Sequence, residues 1–225
     1  MRTVLLDLDG TLVDSAPTIV EHLAAAIAEV GFPVPDEARL RRFVGPPFET
    51  ALPELGLTPE QTAAAIVAYR RSYDAVAATV TPVFPGVPEF LARLREEGLR
   101  LATATSKPEE LARKIVAGTG LDGFFDLVGG ADHVAGRVGK AAVVGSVLQR
   151  LRLEPARHPV VLIGDRHHDV DGGAAHGVPV IGVGWGYAEP GELAGARRLA
   201  ADLDDLAAVL RGDDVWSTTV PRDAA

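Results

Sequence analysis

The stretch Val4-Leu5-Leu6-Asp7-Leu8-Asp9-Gly10-Thr11 is the most informative segment of this chain. Its apolar start predicts a buried strand, and two carboxylates, Asp7 and Asp9, follow two residues apart. Because residues i and i+2 of a strand point to the same side, these carboxylates are expected to converge on one site as the strand ends. Gly10 allows a sharp turn and close approach to a ligand. Asp-Gly-Thr also occurs in ordinary turns, but its position after an apolar strand favours a site suited to covalent phosphoryl chemistry.

Composition narrows the classes of protein to which the chain can belong. Its 225 residues suffice for one sizeable core, or for a core with a small second domain. The sequence contains no cysteine, which excludes disulfides and thiol catalysis and is compatible with a cytoplasmic location. A net charge of −9 disfavours nucleic acid as a partner. The N-terminus lacks signal-peptide features, and no apolar run approaches the ~18 residues of a membrane helix, so no membrane contact is expected.

Residues 15–81 read as a block of helices without a convincing strand. Pro17 fits the first turn of a helix, Ile19, Leu23 and Ile27 give it an apolar stripe, and Thr58-Pro59-Glu60-Gln61 has the capping-box pattern of a second helix start. We expect a helical domain over residues 15–81, inserted into a core made of residues 1–14 and 82–211. The tail over residues 212–225 is expected to be poorly ordered.

After Pro82 the pattern alternates between strand and helix. Predicted strands at 99–104, 125–128, 160–163 and 178–183 alternate with predicted helices at 87–97, 108–118, 140–151 and 169–176. This order predicts an α/β fold with a doubly wound parallel sheet, covered by helices on both faces. Ligands of such sheets bind beyond the carboxyl ends of the strands. Asp7, Thr105 and Asp165 all follow predicted strands, so we expect them at one edge of the sheet.

The stretch Gly164-Asp165-Arg166-His167-His168-Asp169 adds two more carboxylates to that edge. Mg²⁺ prefers oxygen ligands in octahedral geometry and keeps several waters. Asp7 and Asp165, with a backbone carbonyl near Asp9, would supply part of such a shell. Asp169 is a further ligand, a support for the ligands or a helix-start residue, and Asp165 taken alone also fits a helix N-cap.

The adjacent histidines His167 and His168 raise the question of a zinc site. Neighbouring side chains point in different directions, and no other His or Cys lies at a convincing ligand spacing. We therefore expect an exposed loop at this position rather than a metal site.

Two further segments carry groups suited to phosphate. The Thr105 hydroxyl and the backbone N–H groups beside it, in Ser106 and Lys107, can donate to phosphoryl oxygens. Lys140 begins a predicted helix after the Gly-rich loop 136–139, where a compact cation can neutralise phosphate charge. A lone lysine is more often a surface residue, but the neighbouring candidates favour a functional role here.

These residues resemble the four ordered motifs of the haloacid dehalogenase-like hydrolase superfamily. The resemblance rests on the stretch 7–15, on Thr105, on Lys140 and on Gly164-Asp165 with Asp169, and it extends to about Leu210. Many relatives have Lys-Pro at the third motif, whereas this chain has Lys140-Ala141. The resemblance implies a Rossmann-like core with a small helical cap inserted after the first strand.

Other stretches resemble particular branches of that superfamily. Phe84-Pro85-Gly86-Val87 is similar to the join from cap to core in phosphoglycolate phosphatase-like proteins. Segments 43–47, 164–169 and 184–187 are similar to a 5′-nucleotidase-like subgroup. The substrate implied by this resemblance is a small phosphorylated metabolite. Substrate choice is expected to depend on the cap, around residues 45–48, and on the region of Trp185.

The resemblance implies a mechanism with separate tasks for the site residues. Asp7 would attack phosphorus and form an aspartyl-phosphate, while Asp9 would protonate the leaving group and then activate water. Mg²⁺, Lys140 and Thr105 would stabilise the charge on phosphoryl oxygens. Relatives that act on carbon–halogen bonds lack an acid at the position of Asp9, so phosphomonoester hydrolysis fits best. The expected metal-binding residues are Asp7, Asp9, Asp165 and Asp169, and the expected substrate contacts are Gly10, Thr11, Gly45, Ser106 and Lys107.

Three alternatives stay open from the sequence. A phosphosugar mutase of the same fold would return phosphate from Asp7 to a sugar hydroxyl. A non-catalytic regulator that binds a phosphorylated ligand is disfavoured, because every motif position holds a chemically competent residue. A receiver-like signalling domain is disfavoured by the helical insert and by Asp9-Gly10-Thr11. Both a monomer and a homodimer remain compatible with the sequence.

Overall fold

The computed structural model describes residues 1–45 and 48–217, which form a six-stranded parallel sheet flanked by helices. The strands are β1 (Thr3–Leu6), β2 (Arg100–Pro108), β3 (Leu127–Ala131), β4 (Val160–Gly164), β5 (Val180–Val183) and β6 (Arg198–Ala200). The α-helices are α1 (Ala16–Glu29), α2 (Glu37–Arg41), α3 (Phe48–Ala51), α4 (Pro59–Val80), α5 (Val87–Glu96), α6 (Glu109–Gly118), α7 (Lys140–Leu151), α8 (His167–Ala174) and α9 (Leu203–Arg211). Short 3-10 helices span Leu52–Leu55, Asp122–Phe124 and Asp214–Trp216.

The strand order β3-β2-β1-β4-β5-β6 makes β1 the centre of the sheet. β1 pairs in parallel with β2 on one side and with β4 on the other. The direction in which successive strands are added reverses beside β1, and this switch point is where doubly wound sheets bind ligands. The predicted doubly wound α/β class is therefore confirmed.

β1 is buried on both sides because helices cover both faces of the sheet. Leu5 packs in an apolar cluster that includes Val143 and Val147 of α7. Val4 and Leu6, which point the other way, belong to a second cluster on the opposite face. Two-sided burial explains why the strand reads as a continuous apolar run rather than an alternating one.

Residues 15–81, which we call the helical insert, lie between β1 and α5. Within the described part of this segment the chain forms helices and turns and no strand. The predicted capping box at the start of α4 is present, with Thr58 and Gln61 bonded reciprocally. The chain enters and leaves the insert side by side, since the Asp14 amide donates to the Pro82 carbonyl at 2.9 Å. The division into core and cap domains remains a proposal, because buried side chains of the insert and of the sheet form one continuous apolar cluster.

Some element boundaries differ from the sequence prediction. The third strand is Leu127–Ala131 rather than 125–128, and α8 begins at His167 rather than at residue 169. β6 and α9 were not predicted. β6 spans Arg198–Ala200, too short for a clear alternating pattern.

The first part of the C-terminal tail is ordered, contrary to the prediction. Asp214–Trp216 forms a short helix in which Val215 and Trp216 are buried, and the Trp216 indole donates to the Leu210 carbonyl. Burial of a large aromatic side chain offsets the entropy cost of ordering this segment. The rest of the predicted tail, 218–225, lies outside the described residues. Among the described helices, none is both long and apolar enough to span a bilayer.

Candidate active site

Three buried carboxylates meet at the carboxyl ends of the two central strands. Asp7 follows β1, Asp165 follows β4, and Asp169 lies in the first turn of α8. One carboxylate oxygen from each residue lies within 4.8 Å of the others. The parallel sheet thus brings together residues that are far apart in the sequence, as their positions after predicted strands indicated.

Lys140 is the cation that faces this carboxylate cluster. Its Nζ lies 2.8 Å from Asp7 Oδ1 and 2.7 Å from Asp169 Oδ1, and it donates to the Ala104 carbonyl at 2.9 Å. Burial alone would lower the pKa of Lys140, but the carboxylates of Asp169 and Asp7 raise it well above its usual range. Lys140 is therefore charged at neutral pH and is held against Asp7.

The pKa of Asp165 reflects the negative charges that surround it. Burial, together with the charges of Asp7 and Asp169, raises the pKa of Asp165 to about 8. The Thr11 hydroxyl donates to its Oδ1 at 3.2 Å and the Tyr187 amide to its Oδ2 at 2.7 Å, so the side chain is fixed in place. Three clustered carboxyl groups face one ammonium in a buried site, so the cluster has acidic groups in excess. The donor set fits a hard divalent cation such as Mg²⁺.

A second buried lysine lies on the other side of the site. Lys107 Nζ is 3.2 Å from Asp9 Oδ2 and donates to the Tyr73 hydroxyl at 3.1 Å. Burial lowers the pKa of Lys107, but the Asp9 charge outweighs burial and holds that pKa above its usual range. Asp9 Oδ1 is buried and has no hydrogen-bond partner among the described residues. The side chain of Asp9 is thus paired with Lys107, which in turn contacts the helical insert through Tyr73.

Two adjoining cavities serve the site. A small one of about 30 Å³, which we call the catalytic cavity, is lined by Asp7, Asp9, Gly45, Thr105, Ser106, Lys107, Lys140, Arg166, His168 and Asp169. A larger one of about 320 Å³, the insert cavity, shares Asp9, Gly45, Ser106 and Lys107 with it. Aromatic side chains of the insert form its wall: Phe43, Phe48, Tyr69 and Tyr73. The catalytic cavity therefore opens onto the insert cavity through residues that line both.

Three of the five predicted substrate contacts line these cavities: Gly45, Ser106 and Lys107. Thr105, for which a catalytic role was predicted, lines the catalytic cavity, and its hydroxyl accepts from the Lys107 amide at 3.2 Å. Of the loop predicted at residues 45–48, Pro46 and Pro47 lie outside the described residues.

Gly10 and Thr11 are not among the residues that line the catalytic cavity, and their predicted contact with the substrate stays a prediction. A Cβ atom on Gly10, whose φ is +79°, would lie 2.2 Å from Asp165 Oδ2, so only glycine fits this position. The Thr11 hydroxyl donates its hydrogen bond to Asp165. Thr11 thus helps to fix Asp165, and Gly10 leaves the space that the Asp165 side chain occupies.

The region of Trp185 also differs from its prediction. The Trp185 indole donates to the Thr11 carbonyl at 3.1 Å, and its ring lines a separate cavity of about 740 Å³ with Phe84, Phe90 and Leu203. That cavity shares no lining residue with the catalytic cavity. The position of Trp185 therefore gives no support for a role in substrate choice.

The paired histidines are part of α8, and the predicted exposed loop is wrong. His167 Nδ1 lies 2.7 Å from Glu192 Oε1, and half-buried His168 lines the catalytic cavity. Burial, followed by the neighbouring His167 and Arg166 charges, lowers the pKa of His168. The described residues bring no third nitrogen or sulfur ligand to this pair, since the clustered metal-type donors are the aspartates.

Sequence reasoning missed residues that connect distant segments. Nothing in the local sequence indicates the hydrogen bond from Lys107 to the Tyr73 hydroxyl. Arg166 and Glu192 form a buried ion pair of 2.6 Å beside the catalytic cavity. The Tyr187 hydroxyl donates to Asp14 at 2.8 Å. Such pairings depend on tertiary structure, so spacing along the chain does not reveal them.

Comparison with known proteins places this geometry in context. Tyrosine-protein kinase PtkA of Mycobacterium tuberculosis is 44% identical over 186 residues, which are 83% of this chain but only 63% of PtkA. The 5′-nucleotidase of Pseudomonas aeruginosa is 34% identical, with 92% of this chain and 94% of that protein covered. The plasmid-encoded phosphoglycolate phosphatase of Cupriavidus necator is 36% identical, with 92% of each chain covered.

The solved structures agree with this fold. A crystal structure of a predicted phosphatase from Clostridium acetobutylicum superposes with a TM-score of 0.86 at 31% identity, covering 94% of this chain and 99% of that one. The family model described as haloacid dehalogenase-like hydrolase matches residues 4–183, a span that contains every carboxylate and lysine of the site. The chain therefore belongs to the haloacid dehalogenase-like hydrolase family.

Proposed function

We propose that this protein is a phosphomonoester hydrolase that works through an aspartyl-phosphate on Asp7. The observation that carries the proposal is the pair Asp7 and Asp9, with one carboxylate against Lys140 and the other against the insert cavity. One carboxylate is thus available to attack phosphorus while the other faces the space for the leaving group. Relatives named phosphoglycolate phosphatase and 5′-nucleotidase support this reaction class.

In the first step, an Asp7 oxygen attacks phosphorus in line. The new Oδ–P bond forms as the P–O bond to the leaving group breaks, and protonated Asp9 gives its proton to the departing oxygen. In the second step, Asp9 takes a proton from water, whose oxygen attacks the phosphoryl group and releases Asp7 and inorganic phosphate. Asp9 is then protonated again, so protons balance over the cycle.

The remaining cavity residues would hold the phosphoryl group during both steps. Lys140 lies beside Asp7 and, with the Thr105 hydroxyl, is suited to stabilise charge on the equatorial oxygens. Asp7, Asp165 and Asp169, with the backbone near Asp9, would hold Mg²⁺, which when bound neutralises negative charge on the phosphoryl group. Asp169 also contacts Lys140 and so keeps that ammonium in place.

The insert cavity points to a small phosphorylated metabolite as substrate. Its volume of about 320 Å³ lies at the lower end of the range for ligand pockets. Both 2-phosphoglycolate and a 5′-nucleotide are candidates, since relatives carry names for each activity. Phe43, Phe48 and Tyr69 in the aromatic wall offer apolar contacts to an organic group, so nucleotides belong in any test.

Phosphoryl transfer to a tyrosine hydroxyl is a second candidate function, favoured by the 44% identity to PtkA. The two functions share attack by Asp7 and differ in the acceptor, which is water in one and a phenol oxygen in the other. Because this chain spans 63% of PtkA, the activity of that whole protein does not transfer directly. A phosphosugar mutase would differ in the same way, with a sugar hydroxyl as acceptor.

A substrate panel separates these functions. Phosphate release from 2-phosphoglycolate, 5′-nucleotides and sugar phosphates is measured with Mg²⁺ and with EDTA. Parallel reactions test isomerisation of a sugar phosphate and transfer from ATP to a tyrosine peptide. We expect Mg²⁺-dependent phosphate release that Asp7→Asn abolishes and that Asp171→Asn, an exposed carboxylate on α8, leaves intact. Transfer to peptide or sugar without phosphate release would replace the hydrolase proposal.

A further inference from the structure

Arg166 connects the catalytic cavity to the helical insert. Its Nη1 donates to the Val44 carbonyl at 2.5 Å, and its Nε donates to Glu192 Oε1 at 2.6 Å. The Arg166 side chain is only 11% exposed. A guanidinium presents several donors in a fixed plane, so one side chain can bridge a carbonyl and a carboxylate at once. The contact to Val44 spans 122 residues of sequence.

Glu192 is itself firmly anchored on the core side. Its Oε1 also accepts from the His167 amide at 3.1 Å, and its Oε2 accepts from the Glu189 amide at 2.8 Å. Hydrogen bonds from Arg166 and the Glu189 amide outweigh burial and lower the pKa of Glu192 to about 2. Glu192 is thus ionised at neutral pH and is a fixed, negatively charged partner for Arg166.

The segment held by Arg166 borders the site of reaction. We call Val44 and Gly45 the insert loop; Val44 is buried, and Gly45 lines both the catalytic cavity and the insert cavity. Arg166 also lines the catalytic cavity. A Cβ atom on Gly45, whose φ is +110°, would lie 3.5 Å from Arg166 Nη1. The insert loop and the guanidinium are therefore in direct contact at the edge of the reaction space.

The same residue is tied to the carboxylate cluster. The Arg166 amide donates to Asp169 Oδ2 at 3.0 Å, and Asp169 Oδ1 lies against Lys140. A single residue thus fixes a carboxylate of the core through its backbone and the insert loop through its side chain. Movement of the insert loop away from Arg166 has to break the buried bond from the guanidinium to the Val44 carbonyl, and such charge-assisted bonds are stronger than neutral ones.

We propose that Arg166, braced by Glu192, is a positioning residue that holds the insert loop over the catalytic cavity and so sets the space available to the substrate. The functional part of this inference rests on the proposed phosphatase activity. Its structural part, the holding of the loop, has a readout that does not require catalysis.

Hydrogen exchange measured by mass spectrometry tests the structural part. The Val44 amide donates to the Arg41 carbonyl at 3.1 Å, so it reports on the loop. In Arg166→Ala we expect faster exchange confined to peptides covering residues 40–50. The matched control is Arg95→Ala, because Arg95 also bridges a carboxylate at 2.6 Å and a carbonyl at 3.4 Å, in Asp126 and Leu99, at the opposite edge of the sheet. Equal exchange of residues 40–50 in both variants overturns the proposal.

The functional part is tested by measuring kcat and KM with the substrate that the panel identifies. We expect Arg166→Ala to raise KM by about tenfold or more, the usual effect of losing a hydrogen bond to a charged group, with a smaller change in kcat. Added guanidinium at tens of millimolar should restore KM, whereas Arg166→Lys should not, since one ammonium cannot span both partners. A loss of kcat at unchanged KM, or no rescue by guanidinium, contradicts the positioning role.

Two further cases need their own measurement: an unfolded Arg166→Ala variant and a wild-type protein without phosphatase activity. If circular dichroism shows that Arg166→Ala is unfolded, Glu192→Gln takes its place, because it keeps the size of the side chain that contacts Arg166 and removes its charge. Faster exchange of residues 40–50 in Glu192→Gln then supports the proposal, and unchanged exchange overturns it. If the wild-type protein hydrolyses no phosphomonoester, the proposed function fails, and the exchange comparison still decides whether Arg166 holds the loop.

Discussion

The two halves of the site each contain a buried lysine, but the lysines are held in different ways. Lys140 contacts Asp7, Asp169 and the Ala104 carbonyl, which all belong to the sheet or to segments attached to its edge. Lys107 contacts Asp9 on the core side and Tyr73 of α4, in the helical insert, on the other. The first half is complete within the core, whereas the second depends on where the insert lies.

This difference suggests a division of labour along the reaction. The core half carries the proposed nucleophile and the charge-stabilising lysine, so it has to be preorganised for every substrate. The insert half carries the proposed acid–base residue beside the space for the leaving group, which is the part that varies among phosphomonoesters. We therefore expect changes in the core half to act on all substrates and changes in the insert half to depend on the leaving group.

The largest effect is expected from the nucleophile of the core half. Asp7→Asn keeps the size of the side chain but removes the anionic oxygen that attacks phosphorus. We expect kcat to fall by about 10³-fold or more with every substrate, as in other losses of a covalent nucleophile. Steady-state phosphate release measures this. Substantial remaining activity would sink the assignment of Asp7 as the nucleophile.

Replacement of each lysine tests the comparison directly. Lys140→Ala should lower kcat by about 10²-fold to 10³-fold for all substrates, because stabilisation of phosphoryl charge is lost whatever the leaving group. Lys107→Ala should cost less and should vary with the leaving group. Lys114→Ala, on an exposed lysine paired with Glu110, is the control. Uniform, equal losses in the two buried-lysine variants would remove the distinction between the halves.

Metal affinity in the core half should depend on pH. Asp165, with a pKa raised to about 8, is protonated below that pH in the metal-free protein and has to lose its proton to bind Mg²⁺. The apparent affinity for Mg²⁺ should therefore rise with pH up to about 8 and fall by up to about tenfold per pH unit below it. Calorimetric titration at several pH values, with proton release followed through buffer ionisation heats, measures this. A Mg²⁺ affinity that does not change between about pH 6 and about pH 8 would contradict this prediction.

The core half was largely predictable from the sequence. Strand ends are visible in the apolar runs before Asp7 and Asp165, and parallel strands bring their carboxyl ends together by geometry alone. Lys140 was found because a helix begins after a Gly-rich loop, which local sequence also shows. The resemblance to a known family then supplied roles that spacing alone leaves open.

The insert half was less predictable because its contacts cross between segments with independent local signals. Tyr73 lies 34 residues from Lys107, and its position on α4 fits an apolar stripe as well as a polar contact. In the core half, the contacts of Gly10 and Thr11 with Asp165 were equally hidden from the local sequence, because 154 residues separate Thr11 from Asp165.

The smallest expected effect isolates the link between the insert and Lys107. Tyr73→Phe removes the hydroxyl that accepts from Lys107 but keeps the ring, which stacks on Tyr69 at a centroid distance of 5.0 Å. Since one hydrogen bond to a charged donor is lost, we expect a decrease in kcat/KM of about tenfold, larger for substrates that fill the insert cavity. If Tyr73 acts through Lys107, the double variant with Lys107→Ala should lose no more than Lys107→Ala alone. Additive losses would mean that Tyr73 acts on the substrate directly, and the insert half would then consist of two independent contacts rather than one connected unit.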